Sequence, residues 1–180
     1  MKYQRAVRQS MAQQGFGLIE VLVALVILSI VVLGFLGLMG RSLVQSRGSD
    51  AHIYAQGLIA NDSMALMGLE SSAKTAYRAQ LVQIASQATS NDTIQSYHRA
   101  AAAVSINCQD DCTQTQFAQK LAINTATLAS QQGIIISVKP CQSGVCWVAS
   151  WGNQALAQLS TCQASDSHGV GGCLLIEGLE

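Results

Sequence analysis

From Gly15 to Gly40 the chain reads GFGLIEVLVALVILSIVVLGFLGLMG, with Glu20 near its start and no other charge. At a rise of ~1.5 Å per residue, the uncharged run from Val21 to Gly40 is long enough to cross a hydrocarbon core of about 30 Å as one helix. Polar residues then enter at helical intervals. Val44, Ala51, Ala55, Leu58, Ala65 and Leu69 keep an apolar face, while Arg47, Asp50, Gln56 and Asp62 fall in the polar intervals. The spacing predicts one helix from Phe16 to about Leu66 or Leu69, hydrophobic all round in its first half and amphipathic in its second. The alternative is an anchor, a linker and an independent domain, but no Pro-, Gly- or Ser-rich linker separates Gly40 from Ala65.

Further along, Tyr77, Leu81, Ile84, Ala85 and Ala88 predict a second helix over 76–88, and the alanine-rich stretch from Ile94 to Ile106 fits either a helix or a buried segment. Asp110-Asp111-Cys112-Thr113 offers caps for a helix from Thr115 to Ser130, with Phe117, Leu121 and Leu128 facing inward and Gly133 ending it. The period then changes. Gly133 to Val138 is β-branched, Gln142-Ser143-Gly144 signals a turn, and Val145 to Trp151 alternates, which predicts a hairpin with Trp147, Ala149 and Trp151 on one side. The two tryptophans read as core packing against the long helix rather than as a ligand site. Leu174-Leu175-Ile176 is the final strand. Together these elements make an α+β fold: a long N-terminal helix, transmembrane then amphipathic, packed on a small antiparallel sheet with extra helices and stapled by disulfides.

Charge and cysteine content refine this pattern. The formal net charge is zero, yet Lys2, Arg5 and Arg8 all precede Gly15, where no acidic residue occurs; without them seven basic residues face ten acidic ones. A mildly acidic body gives no electrostatic support for direct nucleic-acid binding. The basic tip holds the N-terminus in the cytoplasm and sends everything after Gly40 to the far side. All six cysteines, Cys108, Cys112, Cys141, Cys146, Cys162 and Cys173, fall on that far side, where an even count reads as disulfides. Six thiols allow fifteen connectivities, and sequence order suggests three local pairs, 108 with 112, 141 with 146 and 162 with 173. None of the spacings is the C-x₂-C of common zinc sites, so no metal is expected.

The N-terminus admits three kinds of processing. An ordinary secretory signal has a shorter apolar stretch and a cleavage site behind it, whereas this run is longer and begins with Glu20. A lipoprotein signal needs a cysteine just after the run, and the first cysteine is Cys108. The third possibility is a cut before the run, between Gly15 and Phe16. The pattern G-F-x-x-x-E, preceded by a short basic leader and followed at once by an apolar helix, resembles the type III signal of type IV pilins and type II secretion pseudopilins. The resemblance covers about the first 40 residues. It implies that a prepilin peptidase cuts after Gly15 on the cytoplasmic side and methylates the new amine of Phe16, and that Glu20 serves subunit assembly. The chain would then divide into a leader, 1–15, a membrane and filament-core half-helix, 16–40, and a periplasmic head with the rest of the helix, 41–180. The family's major pilins commonly carry a helix-bending proline near Gly37, and here no proline precedes Pro140. A disulfide loop from Cys162 to Cys173 would be similar to the variable loop of larger pilins.

Within the family the Cys-Trp hairpin resembles the PilV-like group of minor pilins. That implies a part in priming or assembling a type IV pilus, in a tip complex supporting adhesion, twitching motility or DNA uptake. The implied partners are other minor and major pilins, prepilin peptidase, the inner-membrane assembly platform and, before assembly, the lipid bilayer. The implied location is the bacterial inner membrane, as a single-pass protein with a periplasmic C-terminus, and then the pilus and cell surface. A minor pseudopilin of a type II secretion system shares the same first 40 residues and is the alternative; a single-pass periplasmic enzyme or sensor is the third reading. Enzymatic signals are weak. His52, His98 and His168 are isolated in sequence, Ser165-Asp166-Ser167-His168 holds triad residue types without a nucleophile elbow, and Asp110-Asp111 lacks an oxygen-rich loop of calcium-binding spacing. Gly169 to Gly172 has no following lysine and is no phosphate loop. No catalytic residue and no cofactor are expected.

Overall fold

The computed structural model describes residues 17–89, 92–108, 111–142, 144–153, 155–163 and 171–178. In chain order the elements are α1 (Leu18–Met67), α2 (Ser71–Ser86), α3 (Thr93–Ala103), α4 (Gln114–Gln131), β1 (Ile134–Cys141), β2 (Gly144–Trp151), α5 (Ala155–Thr161) and β3 (Cys173–Glu177). The chain separates into two units, Met1–Arg41 and Ser42–Glu180. The fold is α+β.

The second unit is built on a three-stranded antiparallel sheet in the order β1-β2-β3. Helices α2, α3 and α4 pack on one another and on β1, while α5 packs on β2. From α1, Ala55, Ile59, Asp62 and Leu66 are buried, a stripe recurring every three or four residues. The expected face is met at Ala55, whereas Ala51, Leu58, Ala65 and Leu69 are only half-buried, and Ile59, Leu66 and Asp62, the last expected among the polar intervals, take the fully buried positions.

Helix α4 corrects the expectation of its inward face. Phe117 is 43% exposed and Leu128 41% exposed, Leu121 is half-buried, and the buried face is Ala118, Ala122, Thr125, Ala126 and Ala129. The reason is steric. α4 lies against α2 and α3, whose own buried positions include Ala73, Ala85, Ala100 and Ala101, and small side chains on facing surfaces let helix backbones approach closely. The helix is started by a capping box: the Gln116 backbone N–H donates to Thr113 Oγ1 at 3.2 Å, and the Thr113 N–H donates to Gln116 Oε1 at 3.0 Å. It ends at Gly133, whose φ of 73° is the left-handed conformation that suits a helix terminus. Two more boundaries differ from the sequence reading. α2 begins at Ser71, five residues before Ala76, because Ala73 buries a further turn; the ambiguous alanine-rich stretch is helical over Thr93–Ala103.

β2 is the central strand and is covered on both sides. Trp147, Ala149 and Trp151 join the main core, while Val148 packs with Cys162 and Cys173 and with half-buried Leu159 and Leu175. This second layer explains α5, which the sequence pattern left unassigned: a short helix of only 7 residues has too few turns to display a period. Its last carbonyls accept from Lys139 Nζ, Cys162 O at 2.6 Å and Ser160 O at 3.4 Å. β1 lies at the sheet edge, and there the Tyr97 hydroxyl of α3 donates to Ile136 O at 2.7 Å and accepts from Ile136 N–H at 3.2 Å. One phenol thus satisfies both backbone polar groups of Ile136, which an open edge would leave unpaired. Disulfides join Cys108 to Cys112, Cys141 to Cys146 and Cys162 to Cys173, with Cα–Cα distances of 5.2, 5.9 and 5.9 Å.

Gly172 has a packing requirement. A Cβ there would lie 2.8 Å from Cζ2 and 3.0 Å from Cε2 of Trp151, and the Gly172 carbonyl accepts from the Trp151 N–H at 3.0 Å. Gly172→Ala is therefore expected to destabilise the second unit by ~1–3 kcal/mol, the usual cost of overpacking a core. The measurement is the urea midpoint followed by tryptophan fluorescence, and an unchanged midpoint would show that the ring gives way freely.

Candidate functional site

Among the described residues, the first unit consists of the apolar start of α1. Leu18 is 81% exposed, and the large apolar side chains from Leu18 to Met39 all lie open to the surroundings. By length and composition α1 can cross a membrane, and none of its most apolar window is buried within the chain. A helix apolar on every face is suited to hydrocarbon or to a bundle of other helices. It continues without a break through Gly34, Gly37 and Gly40, and a Cβ at any of the three would meet no atom within 4 Å. Their flat surfaces are thus available for close helix contact. Ser29 keeps its hydroxyl satisfied within the helix by donating to Leu25 O at 2.7 Å.

At the other end of this helix, the Gly17 carbonyl accepts from the backbone N–H of Glu20 at 2.9 Å and of Val21 at 3.4 Å, which starts the helical ladder. Glu20 stands exposed in the first turn, where the positive end of the helix dipole favours a carboxylate. Gly15 and Phe16, the two residues flanking the expected cleavage point, lie outside the described residues, as do Asp110 and the stretch 164–170 containing His168.

Among the described residues of the second unit, the histidines and cysteines are engaged structurally. His98 Nδ1 is 2.8 Å from Ser130 Oγ, but that hydroxyl donates its proton to Thr127 O at 2.6 Å, so the pair is not arranged as base and nucleophile. The His52 ring meets Trp151 edge-on, with centroids 6.1 Å apart. Cys141, Cys146 and Glu177 bring possible metal-ligand atoms within 4.8 Å of one another, yet both sulfurs are spent in a disulfide and only one carboxylate remains.

A polar cluster escaped the sequence reading altogether. Asp62 of α1 is 1% exposed; its Oδ2 accepts from the Tyr77 hydroxyl of α2 and, at 2.6 Å, from Thr125 Oγ1 of α4. Trp147 Nε1 of β2 in turn donates to the Tyr77 oxygen at 3.3 Å. The other carboxyl oxygen, Oδ1, is buried without a hydrogen bond. Burial pushes the Asp62 carboxyl above its usual 3.8, against the pull of the hydroxyls of Thr125 and Tyr77 and of the Asn61 side chain, which favour the ionised form. The Tyr77 hydroxyl is held well above the tyrosine range, first by burial and then by the neighbouring Asp62 charge. The only sequence signal for this cluster is an acidic residue in register with Ala55, Ile59 and Leu66.

No curated protein and no solved structure matches the chain. Residues 10–36, a stretch that contains Gly15, Phe16 and Glu20, match the family model described as the prokaryotic N-terminal methylation motif. Taken with the exposed apolar α1, the motif is consistent with membrane anchoring and supports a protein of type IV pilin-like or pseudopilin kind.

Proposed function

We propose that the chain is a minor type IV pilin, a structural subunit that takes part in priming or assembling a pilus. The observation that carries this reading is the methylation motif over 10–36, which follows the basic residues Lys2, Arg5 and Arg8 and runs into the apolar start of α1. Prepilin peptidase cuts between Gly15 and Phe16 and methylates the new amine. That amine and the Glu20 carboxylate then stand about one helical turn apart, at the entrance to the bilayer. Both charges are costly in an apolar bundle, and a Glu20 carboxylate that meets the Phe16 amine of an adjacent subunit compensates both and sets the register between subunits. Assembly draws α1 from the inner membrane into a filament, alongside major and other minor pilins at the assembly platform, and leaves the disulfide-bonded head outward. The role is one of packing rather than catalysis.

Mass spectrometry of the protein recovered from its native membrane tests the reading directly. The expected N-terminus is methylated Phe16, and an intact leader or a cut behind the apolar run would overturn it. Glu20→Ala is expected to leave cleavage intact while incorporation into sheared pili falls severely. The same variant tested for type II secretion separates the pseudopilin alternative, in which secretion fails and piliation does not.

A further inference from the structure

At the junction of α1, α2, α4 and β2 a carboxyl group is buried with all its hydrogen-bond donors on one oxygen. Asp62 Oδ2 receives the Tyr77 and Thr125 hydroxyls, Oδ1 has no donor within hydrogen-bond distance, and the Asn61 side chain adds only a weaker pull toward the ionised form. We propose that Asp62 is a proton-controlled latch: with a proton on the carboxyl the head grips the Ser42–Met67 part of α1 tightly, and loss of that proton loosens the grip.

The position of the charge decides which protonation state the head favours. An ionised carboxylate shares its charge between two oxygens, and half of it would sit on a buried atom without a donor, which is costly. A neutral carboxyl keeps its carbonyl-type oxygen as acceptor for both hydroxyls and places the proton on the other oxygen, where an unpaired buried O–H costs less than a buried unpaired charge. The groups facing Asp62 do not supply a compensating charge. Tyr77 from α2 and Thr125 from α4 are neutral donors, Trp147 Nε1 of β2 reaches only the Tyr77 oxygen, and Asn61 is the neutral neighbour on α1 itself. Tyr97 of α3, behind Tyr77, is also neutral, its hydroxyl held above the tyrosine range by burial. None of the described groups that touch Asp62 brings a positive charge to replace the proton. The upward displacement of the carboxyl by burial points the same way.

The sign follows from linkage. A carboxyl whose pKa is higher in the folded than in the unfolded chain binds more protons when folded, so its contribution to stability is complete below about 3.8, the unfolded value, and is lost as pH rises through the folded value. Within that window the folding equilibrium constant falls by up to about tenfold per pH unit. Tightening in acid is the reverse of ordinary acid denaturation, in which paired carboxylates are neutralised.

The chain contains only two tryptophans, Trp147 and Trp151, both in the second unit, so their fluorescence reports the head even when the full-length protein is held in detergent. Urea midpoints measured from pH 4 to pH 8 are expected to fall with rising pH for the natural chain. For Asp62→Asn the same series should be flat or rise. Thr125→Val removes one donor that favours the ionised form and should move the decline to higher pH, a shift that a merely structural role for the hydroxyl would not produce. Infrared spectroscopy of the natural chain provides a readout that needs no variant: a protonated-carboxyl C=O band should persist above the ordinary carboxylate range. A midpoint that rises with pH, a decline retained in Asp62→Asn, or the absence of that band would overturn the proposal.

Discussion

Gly15→Ala is expected to leave the protein as an uncleaved precursor in the membrane. The scissile bond lies between Gly15 and Phe16 in the proposed maturation, and a peptidase that takes the backbone of the leader's last residue closely has no room for a Cβ there. The loss should be near-complete rather than graded, because a bond that is not cut also leaves no free Phe16 amine to be methylated or to meet Glu20. The measurement is electrophoretic mobility together with N-terminal mass spectrometry in cells that process the natural chain. Normal cleavage of the variant would remove the signal reading, whatever the behaviour of the head. Stability of the second unit should not change, since Gly15 lies in the other unit.

The second large effect is confined to the head. Trp147 is 1% exposed, faces the main core from the central strand, and donates its Nε1–H to Tyr77. Trp147→Ala is expected to cost ~3–5 kcal/mol, the range for removing a buried large aromatic side chain and leaving a cavity. With a urea dependence of roughly 1–3 kcal/mol per molar, the midpoint falls by about one to several molar, read from the remaining emission of Trp151. Trp147→Phe separates the causes. It keeps most of the apolar contact and loses the N–H donor, so its cost should be a fraction of the alanine value. Equal losses in the two variants would place the energy in the Tyr77 hydrogen bond rather than in packing.

These effects fall on features that differ in how far local sequence reveals them. The apolar run and the helical continuation to Met67 follow from periodicity within one segment, and the hairpin follows from a turn signal between β-branched and alternating stretches. The α4 interface does not. Phe117, Leu121 and Leu128 are large apolar residues on that helix, but which face turns inward depends on how closely α2 and α3 approach, and alanine permits the closer contact. Asp62 is the sharper case. Its residue type places it on the polar side of α1, and the hydroxyls that make its burial tolerable come from residues 15 and 63 positions away.

The sequence by itself determined the segment apolar enough to cross a bilayer, the methylation motif and the α+β class, because each is written in contiguous residue types and their spacing. Tertiary structure alone decided which face of α4 is buried, that β2 is covered on both sides with α5 in the second layer, and that four elements meet at one buried carboxyl. Those outcomes depend on distances between segments far apart in the chain, and hydrophobic pattern within a segment carries no information about what will stand opposite it.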